Sequence, residues 1–190
     1  MKILAVSDIE SDLLLKYYKE NHLDDIDLIL SAGDLPYAYL QTVKANIQAP
    51  LFWVRGNHDR FKPKLFDKEF IEWKCVRYKG IGIAGIGCDG HNKLLSEDEM
   101  ERSLGKLYRK IQRSNGADII ISHYPLRGFG DGDDKVHKGY MAINEFIKKV
   151  RPKYFIYGHN HLTYGRNDRA FQLEDTILIN AYEKYVIDYN

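Results

Sequence analysis

Cysteine is scarce in this chain, with two residues, Cys75 and Cys88, among 190. Two thiols cannot build a disulfide framework. Both lie in apolar, strand-like surroundings and read as buried, reduced side chains, not as a bridge or a zinc pair. Long hydrophobic runs are missing too. None approaches the ~20 apolar residues of a membrane helix, and the first, Ile3 to Val6, runs straight into Ser7-Asp8, too short for a signal peptide. Charge of one sign is not in excess: 28 Lys and Arg stand against 27 Asp and Glu, a net +1. That excludes bulk-charge binding of long nucleic acid but leaves a local contact to a short phosphate-bearing ligand open. No repeat, low-complexity stretch or linker divides the chain. The expectation is a single domain over 1–190 with a sizeable core, in a cytoplasmic, reducing setting without membrane attachment.

What the chain does have is five short apolar runs, each ending in polar residues that metals favour. Ile3-Leu4-Ala5-Val6 leads through Ser7 to Asp8, and Leu28-Ile29-Leu30 through Ser31-Ala32-Gly33 to Asp34. Leu51-Phe52-Trp53-Val54 leads through Arg55-Gly56 to Asn57-His58-Asp59. Ile119-Ile120-Ile121 leads through Ser122 to His123, and Tyr154-Phe155-Ile156-Tyr157 through Gly158 to His159-Asn160-His161. Such runs read as buried strands. A small residue at each exit lets the backbone turn sharply and approach a ligand. Open α/β sheets bind ligands beyond the carboxyl ends of their strands, so the five exits point at one site. Carboxylates and imidazoles converging there repel or go unsatisfied without cations between them.

Between the runs, helical patterns cover Ser11 to Asn21 and Tyr37 to about Gln48, and the alternation implies βαβ units with a largely parallel sheet. Lys74 to Tyr78 and Gly80 to Ile86 read as a hairpin turning at Lys79-Gly80. Ser96-Glu97-Asp98-Glu99 is a capping box for a helix to about Ser114, with Met100, Leu104, Leu107 and Ile111 on one face. Arg127 to Gly139, rich in Gly and Asp, is a long loop of the kind that carries function. A helix over Tyr140 to Val150 and short β-like pieces after Thr163 complete the chain. Gly80-Ile81-Gly82-Ile83-Ala84-Gly85 matches G-x-G-x-x-G, but its glycines sit inside a strand and no helix opens among them, so the nucleotide fingerprint is discarded.

Asp8-Ile9-Glu10, Gly33-Asp34, Gly56-Asn57-His58-Asp59, His123 and Gly158-His159-Asn160-His161 resemble, in order and spacing, the motif series of the calcineurin-like metallophosphoesterases. The resemblance implies an α/β fold, a four-layer αββα sandwich of two mixed β-sheets flanked by helices. It also implies two divalent metal ions sharing Asp34, one held by Asp8, Asp34, His161 and Glu10, the other by Asp34, Asn57, His123 and His159. Manganese leads the mixed O and N set, with iron, zinc, cobalt, nickel or magnesium as alternatives. Two such ions lower the pKa of a bridging water and neutralise charge during in-line attack on phosphorus. By resemblance His58 is not a ligand but would protonate the leaving oxygen or steady the phosphoryl charge, and Asp59 would accept from its other ring nitrogen and fix the tautomer.

Position 10 is Glu where the family usually has His; either it ligates, a harder donor that shifts preference from zinc toward manganese, magnesium or iron, or it points away and the first ion binds weakly. Arg55, Arg60, Lys62 and Lys64 surround the Asn-His-Asp turn, either as a solvated face or as a grip on phosphate. Arg55, Arg60 and His137 are the candidate substrate contacts. Phe61 and Tyr124 are packing residues or stack on a base. His22 and His91 read as ordinary polar residues, and Asp131, Asp133 and Asp134 as loop solvation. The expected function is metal-dependent hydrolysis of small phosphodiesters or phosphomonoesters through a dinuclear centre and a metal-bridging hydroxide. The alternative is an inactive interaction scaffold on the same fold, and a nuclease of the superfamily is a further reading that the near-neutral charge disfavours.

Overall fold

The computed structural model describes residues 1–18, 23, 25–60, 67–88, 94–134, 136–162 and 168–190. His22, Phe61, Lys62, Lys64 and His91 lie outside the described residues. The apolar runs form the strands β1 (Lys2–Ser7), β2 (Leu28–Ser31), β3 (Leu51–Trp53), β6 (Ile119–Ser122) and β7 (Tyr154–Tyr157). The hairpin is β4 (Cys75–Tyr78) and β5 (Ile81–Ile86), and the tail forms β8 (Ala170–Leu173), β9 (Thr176–Asn180) and β10 (Glu183–Asp188). Helices are α1 (Asp12–Lys16), α2 (Tyr37–Ile47), α3 (Glu97–Arg113) and α4 (Met141–Val150). One sheet has the order β10-β1-β2-β3 and the other β4-β5-β6-β7-β9-β8. Parallel centres carry antiparallel edge strands, so both sheets are mixed.

Alternation along the strands sorts side chains into three cores. Ile3 and Ala5 of β1 meet Ile119 and Ile121 of β6 and Ile156 of β7 between the sheets. Leu4 and Val6 face the opposite way, onto Leu40 and Val43 of α2. Ile120 and Phe155 likewise turn outward onto Leu104 and Leu107 of α3 and Ile143 of α4. The layers are therefore helices, sheet, sheet, helices. In α3 the Ser96 hydroxyl accepts from the Glu99 N–H and the Glu99 carboxylate accepts from the Ser96 N–H, the reciprocal cap that the sequence predicts. The first helix is shorter than its pattern. Leu14 alone is buried in it and the chain leaves the helix at Tyr17, because one covered residue cannot hold further turns.

The glycines of the discarded fingerprint are structural. A Cβ on Gly82 would lie 2.5 Å from the Gly116 carbonyl oxygen, and one on Gly85 2.5 Å from that of Ile71. Among the described residues no helix is long and apolar enough to cross a membrane.

Candidate metal centre

The exits of β1, β2, β3, β6 and β7 converge at one end of the seam between the sheets. Asp8, Asp34 and His159 adopt left-handed backbone, with φ of 69°, 56° and 70°, strain that non-glycine residues carry at functional sites. This corrects the expected division of labour, in which the small residues would make the turns. Gly33, at φ 98°, does turn, but at the β1 and β7 exits the donors Asp8 and His159 themselves do so, and Gly56 and Gly158 supply room. A Cβ on Gly56 would stand 2.1 Å from Asp34 Oδ1, and one on Gly158 1.9 Å from Ser7 Oγ.

Ligand atoms of Asp8, Asp34 and His123 lie within 4.8 Å of one another. The His123 ring is fully buried; its Nδ1 faces the Ala32 carbonyl at 2.9 Å, so that nitrogen carries the hydrogen and Nε2 points into the group. Around Nε2 stand Asn57 Oδ1 at 2.8 Å, Asp34 Oδ2 at 3.2 Å and His159 Nδ1 at 3.2 Å. His159 is anchored in the reverse sense: its Nε2 donates to the Val136 carbonyl at 2.7 Å, leaving Nδ1 directed inward. Two imidazole nitrogens whose partner nitrogens are both committed to carbonyls cannot face each other as bare lone pairs. A proton or a cation must lie between them. In the protein alone it is a proton on His123. Burial pulls that ring's pKa down, but the hydrogen bond and charge of Asp34, with the charge of Asp8, outweigh it and leave it near 9. Burial, then the neighbouring His123 charge, push His159 down to about 4. These donors, with carboxylates at hand, fit divalent ions.

Asp8 is held by the His159 N–H, which reaches its two oxygens at 3.0 and 3.1 Å. His161 stands with Nε2 3.9 Å from Asp8 Oδ1 and its ring tilted against Tyr182 at 4.8 Å between centroids. Glu10 is exposed and outside the Asp8–Asp34–His123 group. His58 is also exposed, its backbone N–H donating to Asp34 Oδ1 at 2.8 Å.

Two expectations are corrected, those for Asp59 and Arg55. Asp59 does not serve the His58 ring: its Oδ2 accepts from the N–H groups of Gly56 and Asp34, both at 2.8 Å. The tight turn aims those amides at it, and leaving buried donors unmade costs more than leaving an exposed ring unsupported. Burial raises Asp59 to about 6, against the pull of the Gly56 amide. Arg55 does not grip phosphate, because its guanidinium pairs with Glu72 through Nε at 3.1 Å and Nη2 at 2.8 Å, over the Phe70 ring. Tyr124 is 1% exposed and packs edge-on against His123 and His159, so no base can stack on it. Arg60 is exposed beyond the turn. His137 lines a cavity of about 500 Å³ with Asn160, His161, Asp168, Phe171 and Asn180, beside the metal-ligand candidates.

Sequence reasoning missed Asp134, whose Oδ1 accepts from the Val136 and His137 N–H groups and whose Oδ2 meets His137 Nδ1 at 2.7 Å. The spacing Asp-x-Val-His is an Asx-turn signal that could have found it. Nothing local could have found Glu72. Asp131 also builds the loop, accepting from the N–H groups of Gly128 and Gly139.

The model of the calcineurin-like phosphoesterase family matches residues 1–162. The chain is similar to TT1561 of Thermus thermophilus, 17% identical with a TM-score of 0.67, over 96% of this chain and 89% of that one. It is similar to a structure described as a novel archaeal phosphodiesterase, 15% identical with a TM-score of 0.53, over 99% of this chain and 93% of that one. Over 52 residues it is 38% identical to the UPF0046 protein T07D4.2 of Caenorhabditis elegans, a match to 26% of this chain that spans only 13% of that relative's length.

Proposed function

The chain belongs to the calcineurin-like phosphoesterase family, and on that premise we propose that it hydrolyses small phosphodiesters, with phosphomonoesters as weaker substrates, at a centre of two divalent ions. The observation that carries this reading is the inward pair of imidazole nitrogens, His123 Nε2 and His159 Nδ1, 3.2 Å apart beside Asp34. Asp34, Asn57, His123 and His159 would hold one ion, and Asp8, Asp34, Glu10 and His161 the other. Bound there, the ions supply an acidified water as nucleophile and positive charge for the phosphoryl oxygens. The protein's own contribution is position. Asp34 Oδ1 holds the backbone of His58, whose ring is exposed, and that ring would give a proton to the leaving oxygen. The cavity beside His137 and Phe171 receives the rest of a small ester. The archaeal phosphodiesterase among the structural neighbours agrees with the diester preference.

The test is hydrolysis of bis-p-nitrophenyl phosphate against p-nitrophenyl phosphate with added manganese. We expect turnover of the diester to dominate. Asp34→Ala should lower it by about a thousandfold or more, as loss of a shared ligand demands, and His58→Ala by about a hundredfold or more. Silence with every one of manganese, iron, zinc, cobalt, nickel and magnesium would sink the enzymatic reading and leave the scaffold, which the exposed Glu10 favours.

A further inference from the structure

His159 can serve the centre only with Nδ1 turned inward. A half-turn of its ring about the Cβ–Cγ bond would carry that nitrogen away and bring a carbon-bound hydrogen to its place. The contact that selects the orientation is the Nε2–H bond to the Val136 carbonyl at 2.7 Å. The Val136 side chain is 49% exposed, so packing does not fix that carbonyl. Its N–H donates to Asp134 Oδ1 at 2.8 Å, and the His137 N–H reaches the same oxygen at 3.0 Å, an Asx turn that sets where the Val136 carbonyl points. The rest of the loop is tied independently. The His137 carbonyl accepts from the Gly132 N–H at 2.8 Å, and Asp131 accepts from the N–H groups of Gly128 and Gly139. The Asp134 side chain is 61% exposed, so its removal takes nothing from the core.

Resting on the metal-centre reading above, we propose that Asp134 is a positioning residue of the centre: acting through the Val136 carbonyl, it fixes the ring orientation and tautomer of His159. Outer partners of this kind decide which nitrogen of a ligating imidazole carries the hydrogen, and their loss weakens metal binding by about tenfold to a hundredfold. Asp134 acts one residue further out, at a rim where water competes, which puts its effect at the lower end, about tenfold. The same carboxylate meets His137 Nδ1 through Oδ2 at 2.7 Å, and the His137 ring stands 5.3 Å from that of His159 between centroids. A route through that ring is the competing explanation, and it predicts a different response to loss of His137.

In the metal-free protein carrying isotope-labelled histidine, ring nitrogen–proton correlation spectra read the tautomer of His159. The wild type should show the hydrogen on Nε2 alone. Asp134→Ala should show a mixture of the two tautomers. Asp134→Asn, whose amide oxygen takes the same two N–H groups, should restore the single form. Calorimetric titration with Mn²⁺ should give a dissociation constant about tenfold higher in Asp134→Ala, and within about twofold of wild type in Asp134→Asn and in His137→Ala. An unchanged tautomer or an unchanged Mn²⁺ affinity in Asp134→Ala overturns the proposal, and so does a change in His137→Ala as large as that in Asp134→Ala. A wild type with His159 in the expected tautomer that binds none of Mn²⁺, Zn²⁺ and Co²⁺ sinks the metal centre and leaves the positioning of His159 standing.

Discussion

The two sheets bring different chemistry to one seam. The exits of β1, β2 and β3 in the four-stranded sheet deliver the oxygen donors Asp8, Asp34 and Asn57. Those of β6 and β7 in the six-stranded sheet deliver the imidazoles of His123, His159 and His161. Neither set is a full site by itself, since the first sets two like-charged carboxylates side by side and the second offers imidazole nitrogens alone. Contacts across the seam join them: the Ala32 carbonyl to His123, Asp34 to His123, and the His159 N–H to Asp8. Whatever shifts one sheet against the other should change the donor geometry, and changes on the outer helices should not.

The largest stability effect is expected where a side-chain pair ties the β3 exit to the segment beside β5. Glu72 is bridged to Gly85 of β5 and meets Arg55 after β3. Arg55→Met leaves the buried Glu72 carboxylate without its partner and should cost about 3–5 kcal/mol in urea unfolding. Replacing both residues together, with Glu72→Leu, should recover most of it. A double variant as weak as the single one would show that the pair is not what matters there. Next comes the core between the sheets. Ile121 is fully buried, and Ile121→Ala should cost about 3 kcal/mol, part of which excess Mn²⁺ restores because the ion binds only the folded seam. A melting temperature indifferent to metal would break the link between sheet packing and the centre.

A smaller effect follows from the proton between the imidazoles. In the metal-free protein His123 keeps that proton up to a pH of about 9, and an ion must displace it. The bound form has one proton fewer, so affinity rises with pH. The dissociation constant for Mn²⁺ should fall about tenfold per unit between about pH 7 and 9, measured by calorimetry in buffers of different ionisation enthalpy. An affinity flat across that window would mean that His123 is not a ligand. The smallest effect is a control on an outer helix. Ser96→Ala removes the α3 cap and should cost about 1 kcal/mol with diester hydrolysis unchanged, and a loss of activity there would blur the contrast.

The strands were legible because fully buried runs such as Ile119-Ile120-Ile121 have few alternatives, and the α3 cap because both its residues lie within one turn. The antiparallel partner of β1 was less so. Lys2 pairs with Asp188 at the far end of the chain, and no local pattern announces that register. Asp59 was misassigned for a similar reason. Its neighbour His58 is adjacent in sequence, but the carboxylate serves the nearby Gly56 amide and that of Asp34, 25 residues away.

The order of residue types at the strand exits is written in the chain: Asp, Asp, Asn-His-Asp, His, His-Asn-His. With it come the donor chemistry and the family. Tertiary structure decided which donors are buried and which are exposed, separating His123 and His159 from His161 and Glu10, and it turned Arg55 inward to Glu72. Burial and partnership are long-range properties. The carbonyl that orients His123 lies 91 residues before it, and only packing of one sheet on the other brings the two together.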